Sequence, residues 1–417
     1  IVDTLSANGT IYSLNVAYPG GKSMYSITGV VLASSPYGDR SEWGSVLYWS
    51  ADYDCVIVRS NVFDGNAPTL VAGTGQPSYS ESGISGNPLP ALSSAMNFPV
   101  RISMDKLMLD SAHIFVADTR NNRIREVFLA STPILMTTLA GISNTGFVDG
   151  GVASGAAFAT PFDVDTDTAG NVYIADTYHA SIRYIESRTG VVRGVAGVVY
   201  SDECDSQASC FPLRQPESIF LDQDILYVCD TLANRVVRFP VDNGVGGQVE
   251  VLNSHYQVAT PQSVHVAQNR IFVLEAAQEK NSLLEIVPGY ANPIRIIPRS
   301  SSFDTRYTGD GGPASNATVS QPLGLYVTRD LEFYIADTGN NLIRWINRNG
   351  TITSIAGVPF NRFGAGLAGS NLEINSKQAL VNAPSAVLVD ERTQMLFFSD
   401  GANNRVRQVN SCSEVFA

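Results

Sequence analysis

Seven acidic residues recur along this sequence, each at the end of a short apolar run and just before a turn. They are Asp52, Asp118, Asp176, Asp230, Glu275, Asp337 and Asp400. Gathered in a ring, such carboxylates could bind a cation, because hard oxygen ligands suit calcium. An acid at a tight turn more often accepts hydrogen bonds from the N–H groups of that turn. We therefore predict a structural role for these acids.

Arginines follow the acids at fixed distances. Those placed seven residues after an acid are Arg59, Arg125, Arg183, Arg344 and Arg407. A guanidinium could bind an anionic ligand, but its planar fork also pairs well with carboxylates and backbone carbonyls. We expect these arginines to pair with the repeated acids or with carbonyl groups of a neighbouring repeat.

Two further patterns bear on metal binding. Asp163, Asp165 and Asp167 form a D-x-D-x-D string that would suit calcium, but they lie on a predicted strand, and Gly170 comes too late to curl the chain. The histidines are His113, His179, His255 and His265. Their positions in the repeats do not match, whereas a catalytic zinc needs about three converging protein ligands. We therefore predict no cofactor and no metal site, with calcium as the alternative.

The spacing of the acids reflects an internal repeat. Seven copies of an apolar-apolar-small-acid phrase begin at residues 46, 114, 172, 226, 271, 333 and 396. The unit at residues 161–197 alternates apolar and polar residues in four short runs separated by turn residues, which is typical of antiparallel strands. Four-stranded units repeated in a ring form a β-propeller. The sequence thus predicts one all-β domain over residues 1–417, a seven-bladed propeller, with six blades as the alternative.

The two ends of the chain predict how the ring closes. Residues 8–14 read NGTIYSL and resemble residues 349–355, NGTITSI, which form the last turn and outer strand of the sixth unit. The seventh unit ends without an outer strand. We therefore expect the N-terminal strand to complete the last blade and remove an open sheet edge.

Several segments resemble NHL repeats. These are ADTRNNRIREV at 117–127, ADTGNNLIRWI at 336–346 and SDGANNRVRQV at 399–409. Strand-opening prolines and closing LAG, VAG and IAG strands are similar as well. The resemblance implies an NHL-type β-propeller, but NHL propellers include protein binders, RNA binders and metal-dependent lyases, so it does not settle the function.

Composition limits the partners. The net charge is −12 and the sequence pI is about 4.8, so the chain repels phosphate backbones, and RNA binding is disfavoured. No apolar stretch is long enough to span a bilayer, and we predict no direct membrane insertion. We also expect a monomer.

Cysteines and glycosylation signals favour an oxidising compartment. Cys204 and Cys210 bracket a polar loop and are predicted to form a disulfide, and ring closure would make a Cys55–Cys412 disulfide plausible. Asn8, Asn316 and Asn349 head N-x-S/T acceptor triplets. We therefore predict a glycosylated protein that is secreted, at the cell surface or luminal.

These observations favour a binding module for a protein or glycan ligand. Propeller ligands usually contact the face with the second-to-third-strand turns and the inter-blade loops. The candidate residues there are Tyr53, Arg120, Asn121, Tyr178, His179, Asn340 and Asn403. The alternative is a metal-dependent lyase or hydrolase with a site on the central axis, although no hydrolase motif such as G-x-S-x-G is present.

Overall fold

The computed structural model describes most of the chain. The ranges that it describes are 10–14, 27–33, 46–61, 68–78, 88–106, 113–142, 151–197, 207–254, 256–277, 280–290, 292–299, 307–358, 374–376, 379–403 and 405–409. The chain divides into two compact units, here called the central unit (residues 33–260) and the terminal unit (residues 1–32 and 261–417).

Strands are the main elements of both units. Up to residue 260 they are β1 Thr10–Leu14, β2 Ile27–Ala33, β3 Val46–Ala51, β4 Val56–Asn61, β5 Thr69–Ala72, β6 Leu89–Pro90, β7 Pro99–Met104, β8 His113–Asp118, β9 Arg123–Phe128, β10 Leu135–Ala140, β11 Pro161–Thr166, β12 Val172–Asp176, β13 Ser181–Ile185, β14 Val192–Ala196, β15 Pro216–Asp222, β16 Ile225–Asp230, β17 Arg235–Asp242, β18 Val245–Gly246 and β19 Glu250–Val251. Later strands are β20 Pro261–Ala267, β21 Arg270–Glu275, β22 Ser282–Ile286, β23 Ile294–Ile297, β24 Gly312–Pro313, β25 Gly324–Val327, β26 Phe333–Asp337, β27 Leu342–Ile346, β28 Thr351–Ala356, β29 Ile374–Asn375, β30 Val387–Asp390, β31 Met395–Asp400 and β32 Arg405–Val409.

Short 3-10 helices occupy turns between strands. They are Ala91–Ser93, Thr119–Asn121, Ala153–Gly155, Thr177–His179, Ala208–Cys210, Thr231–Ala233, Ala314–Asn316, Thr338–Asn340 and Gly401–Asn403. The described ranges contain no α-helix, and none of their helices has the length and apolar character needed to cross a lipid bilayer.

The strands form seven antiparallel sheets, which are the blades of a seven-bladed β-propeller. Blade 1 contains β2–β5, blade 2 β6–β10, blade 3 β11–β14, blade 4 β15–β19, blade 5 β20–β23, blade 6 β24–β28, and blade 7 β29–β32 with β1. The predicted fold class and the count of seven are confirmed. Blades 2, 3 and 4 lie wholly in the central unit, and blades 5, 6 and 7 in the terminal unit.

Each blade forms where the sequence alternates apolar and polar residues between turns. In blade 3, Val164 lies opposite Ile174, and Tyr173 lies opposite Tyr184. Apolar side chains of paired strands therefore lie on the same face of the sheet. Prolines begin β7, β11, β15 and β20, where the missing N–H costs no ladder bond. The prolines at 322 and 384 precede their strands by two or three residues.

The beginning of the chain completes the last blade, as the sequence predicts. Strand β1 pairs antiparallel with β32, and Ile11 lies opposite Val409 while Leu14 lies opposite Val406. The order in this sheet is β29-β1-β32-β31-β30, so β1 takes the place of the missing fourth strand.

Apolar layers between neighbouring blades make up the core of each unit. Six positions after each of the six aspartates stands an apolar residue that is 0 % exposed; these residues are Val58, Ile124, Ile182, Val236, Ile343 and Val406. Tyr173 and Phe239 pack in one layer of the central unit, and Phe272 and Ile335 pack in one layer of the terminal unit. Burial of each such large side chain contributes about 1.5–3 kcal/mol to the stability of the fold. The turns are therefore supported by tightly packed strands.

Candidate binding face and the network beneath it

The repeated acids lie beneath the second-to-third-strand turns, and the six aspartates among them accept backbone hydrogen bonds. All seven are 2 % exposed or less. The N–H of Ala159 donates to Asp176 at 2.7 Å, and the N–H of Ser320 donates to Asp337 at 2.7 Å. These donors lie in the segment that leads into the first strand of the same blade. The structural role of the acids is confirmed, although among the turn N–H groups for which the structure gives a hydrogen bond to an acid the backbone donor is that of Tyr53, which donates to Asp52 at 2.8 Å.

Four of the repeated arginines neutralise buried acids. Arg183 Nη1 lies 3.4 Å from Asp176 and donates to the carbonyl of Ala157 at 3.3 Å. Arg407 Nε lies 2.9 Å from Asp400, and Arg125 and Arg344 pair with their acids in the same way. Burial raises the pKa of Asp337 to about 6, while the charge of Arg344 acts in the opposite direction. The expected pairing is confirmed for these four.

Arg59 is the exception among the repeated arginines. It is exposed, and its Nε donates to the Thr69 hydroxyl at 3.2 Å. The turn of blade 1 is also shorter, since Cys55 donates its N–H to the carbonyl of Asp52 and has a φ of 56°.

The first asparagine of the turn bonds to the acid rather than pointing outward. The side-chain amides of Asn121, Asn340 and Asn403 donate to Asp118, Asp337 and Asp400 at 2.9–3.0 Å. His179 takes this position in blade 3, with Nδ1 2.8 Å from Asp176. All four were predicted to bind ligand, yet their polar ends face inward. Asn121 is only 3 % exposed, so a ligand could reach it only if the turn opened.

In blades 2, 4 and 6, the second asparagine of the turn bonds to the segment that leads into the next blade. Asn122, Asn234 and Asn341 have φ values of 54–57°, a left-handed conformation that asparagine tolerates better than most residues. Their side-chain oxygens accept the N–H groups of Thr160, Thr260 and Ala383 at 2.8–2.9 Å. Each of these partners directly precedes a strand-opening proline and also has a positive φ. The asparagine pair is therefore a structural device of the repeat.

Blade 3 lacks the second asparagine, and the N–H group of blade 4 that would bond to it has another acceptor. Ala180 occupies the left-handed position with a φ of 53° and has no side-chain oxygen to offer. In blade 4, Gln215 precedes the proline as Thr160 does in blade 3. Its N–H donates to Asp230 at 2.9 Å, and the N–H of Arg214 does the same.

Blade 5 pairs its buried acid, Glu275, with different residues. Ser282 stands seven residues after Glu275, where other blades have arginine, and donates to it. The positive charges come from Arg295 and Arg299 instead, at 3.1 and 2.9 Å from Glu275.

The D-x-D-x-D string also has a structural role. Asp163 accepts the N–H of Ile219 at 3.0 Å, and Asp165 accepts the N–H of Leu221 at 2.8 Å, so both carboxylates join β11 to β15. Asp165 also pairs with Lys106 at 2.8 Å. Asp167 accepts N–H groups of its own turn. These oxygens hold the blades together, and the described residues contain no group of three or more metal-binding side chains.

The histidines have separate environments. His113 lies 2.7 Å from Glu126, which raises the pKa of His113. Burial lowers the pKa of His265 to about 4, and its ring packs edge-on to Tyr326. His255 lies outside the described residues. No two of the three described histidines share a site.

Above this network, the turns of the central unit end in large exposed side chains. Tyr53, Tyr178 and Leu232 are 58 %, 71 % and 60 % exposed, and Arg120 is exposed at the corresponding turn of blade 2. In the terminal unit, the equivalent positions hold Gly339 and Ala402. The blades share one order of strands, so their second-to-third-strand turns lie at the same end of the blades. We call the residues at this end the turn face; they are Tyr53, Phe98, Arg120, Tyr178 and Leu232.

Aromatic contacts order one end of the turn face. The Arg120 guanidinium lies 4.2 Å from the centre of the Phe98 ring. The Tyr53 ring packs edge-on against Phe98, with centroids 5.1 Å apart. Phe98 is missing from the sequence-based candidates, and its place just before Pro99, where other blades have smaller residues, is the signal that could have found it.

The predicted disulfides and glycosylation sites are only partly within the described residues. Cys55 is a free, buried thiol, so the predicted Cys55–Cys412 disulfide is wrong; Cys412 lies outside the described residues. Cys210 is not among the free thiols, but Cys204 lies outside the described residues, and their pairing stays a prediction. Asn316 and Asn349 are exposed, and Asn8 lies outside the described residues.

Comparison with curated proteins finds distant relatives. No protein-family model matches the chain. The chain is 22 % identical to SUPPRESSOR OF QUENCHING 1, chloroplastic, of Arabidopsis thaliana over 57 % of this chain and 24 % of that protein. It is 25 % identical to human Teneurin-1 over 57 % of this chain and 10 % of that protein. It is 22 % identical to NHL repeat-containing protein 2 of Gallus gallus over 75 % and 46 %. The match thus spans less than half the length of each.

Comparison with solved structures finds propellers of similar size. Streptogramin B lyase superposes with a TM-score of 0.57 at 11 % identity, over 98 % of this chain and 99 % of that one. Virginiamycin B lyase from Staphylococcus aureus gives 0.56 at 11 % identity, over 96 % and 98 %. At this identity the likeness shows the fold alone. The chain is therefore a β-propeller with low-identity similarity to an NHL repeat-containing protein.

Proposed function

We propose that this chain is a binding module that recognises a protein or glycan ligand through the turn face. The observation that carries the proposal is the run of large exposed side chains at equivalent turn tips of the central unit, Tyr53, Arg120, Tyr178 and Leu232. Exposed Tyr and Leu side chains cost solvation free energy, and Tyr and Arg are typical anchors of interfaces.

The network beneath the turns supports this role. Buried acids, arginines and asparagines hold the turn backbones, so the tips are presented with little conformational freedom. A preorganised surface loses less entropy when it binds. No observation on the described residues favours a metal-dependent lyase or hydrolase, and we propose only the binding function.

We further propose that the protein acts in an extracellular or luminal compartment. The support is the pair of exposed acceptor triplets at Asn316 and Asn349 together with Cys210, which is not a free thiol. Expression in a secretory eukaryotic host, followed by peptide mass spectrometry with and without deglycosylation, tests this. Unmodified asparagines at both positions would contradict the proposal.

A matched pair of double variants tests the turn face. Tyr178→Ser with Leu232→Ser alters it, whereas Val245→Ser with Tyr290→Ser alters one tyrosine and one aliphatic residue that are equally exposed elsewhere, at 64 % and 68 %. Fluorescently labelled full chains are applied to a glycan array and to intact cells, before and after protease treatment. We expect the turn-face variant to lose binding at least tenfold and the control to keep it. Equal binding by both variants would refute the proposal.

A further inference from the structure

Arg120 differs from the arginines of the third strands in how its charge is neutralised. Arg235, the first residue of β17, is 2.8 Å from Asp230, and Arg183 and Arg344 are buried against acids. Within the ranges that the structure describes, no carboxylate pairs with Arg120. Its guanidinium instead lies over the Phe98 ring at 4.2 Å.

The surroundings of Arg120 fix it in place. Its backbone N–H donates to the carbonyl of Asn97 at 3.1 Å. Phe98 has a φ of 57°, a backbone conformation in which its ring lies under Arg120, and Tyr53 contacts that ring at 81°. A guanidinium stacked on a ring keeps its N–H groups at its edge. Arg120 is exposed, so those donors are available to a ligand.

We propose that Arg120 binds a carboxylate of an acidic segment in a partner protein, while Tyr53 packs against an apolar side chain beside that carboxylate. This inference rests on the proposed function and names the chemistry of the partner. Arg–carboxylate pairs form two parallel hydrogen bonds and are geometrically specific. A preorganised guanidinium that pairs with no carboxylate of the described ranges, on a chain with a net charge of −12, is the complement of such a group.

The rest of the turn face favours a protein over an acidic sugar. Leu232 and Tyr178 are 60 % and 71 % exposed, and a leucine offers no hydrogen bond to sugar hydroxyls. Aromatic residues and arginine beside aliphatic surface form the usual composition of a protein–protein interface core.

Peptide selection on the full chain tests the inference. A phage-displayed library of random 12-residue peptides is selected on the immobilised full chain, and the affinities of synthetic copies are measured by calorimetry. Three variants are compared: Arg120→Gln, Arg120→Lys, and the control Arg188→Gln, which removes an exposed arginine from the third-to-fourth-strand turn of blade 3. Circular dichroism verifies that each variant is folded.

We expect the selected peptides to share an Asp or Glu. Arg120→Gln should weaken binding by about tenfold or more, a typical effect of losing a charge-assisted pair, and Arg120→Lys should recover only part of it, since lysine lacks the fork. Replacing the peptide's acid by its amide should cost little further in Arg120→Gln.

Three results would overturn the inference: no peptide selected, selected peptides without acids, or equal losses in Arg120→Gln and Arg188→Gln. The proposed function fails separately. If Tyr178→Ser with Leu232→Ser abolishes cell or array binding while Arg120→Gln does not affect it, the turn face binds a ligand but Arg120 is not its anchor.

Discussion

Removing Asp337 should destabilise the protein far more than removing an exposed acid of the same blade. Both Asp337 and Arg344 have side chains that are 0 % exposed, with Nη1 3.5 Å from the carboxylate. Asp337 also accepts the N–H of Ser320 at 2.7 Å and the amide of Asn340 at 2.9 Å. Asp337→Ala therefore leaves a buried cation, a buried N–H group and a partly buried amide without this acceptor.

The magnitude follows from these contacts. Breaking a buried ion pair by removing one partner costs about 3–5 kcal/mol. Without Asp337, Arg344 keeps its longer contact with Asp310, at 3.7 Å. Adding Arg344→Met removes this poorly compensated charge and leaves the orphaned N–H groups, so the double variant should cost only about 1–3 kcal/mol. The control is Asp330→Ala, which removes the exposed Asp330–Arg348 pair of blade 6 and should cost about 0–1 kcal/mol.

Urea unfolding monitored by tryptophan fluorescence measures the three costs, because Trp345 lies on the same strand as Arg344. The reasoning would be refuted if Asp337→Ala and Asp330→Ala had equal unfolding midpoints, or if the double variant were less stable than Asp337→Ala alone.

Three further variants test other parts of the network by the same titration. Asn341→Gly should lose about 1 kcal/mol with the bond to Ala383, and Asn341→Ala should lose about 1 kcal/mol more because its φ is 57°; equal losses would exclude the conformational part. Ala180→Gly should gain about 1 kcal/mol, since alanine is strained at a φ of 53°; no gain would contradict this. Burial raises the pKa of Asp163 to about 6, so its stabilising contribution is present below the unfolded pKa and is lost as pH rises through about 6. From pH 5 to 7.5 the free energy of unfolding of the parent chain should therefore fall by about 1 kcal/mol more than that of Asp163→Asn. Identical pH dependence of the two free energies would contradict the raised pKa of Asp163.

The fold was predictable because its determinants are local or repeated. Alternation and turn residues around Pro161 and Gly170 define one blade, and copies of it define the others. The closing strand was predictable because residues 8–14 resemble the outer strand of another unit. Each inference used a comparison within the sequence and needed no knowledge of distant contacts.

The network was less predictable because its partners are far apart in the sequence. Asp176 was expected to accept backbone N–H groups of its own turn, but its backbone donor is Ala159, 17 residues earlier. Asn340 and Asn403 were placed on a ligand face because turn residues are usually exposed, yet their amides face the acids. The contact of Arg120 with Phe98 joins two segments that no periodicity relates.

The pairing of β1 with β32 has a consequence for synthesis of the protein on the ribosome. Residues 10–14 are translated roughly 390 residues before their partner strand β32, an interval on the order of 20–80 s at bacterial or eukaryotic elongation rates. For most of that interval β1 has no native neighbour on the nascent polypeptide, because its other partner, β29, is also translated late. Blade 7 can therefore close only after Arg405–Val409 has been translated, and chaperones that shield exposed strands should matter most for β1 until then.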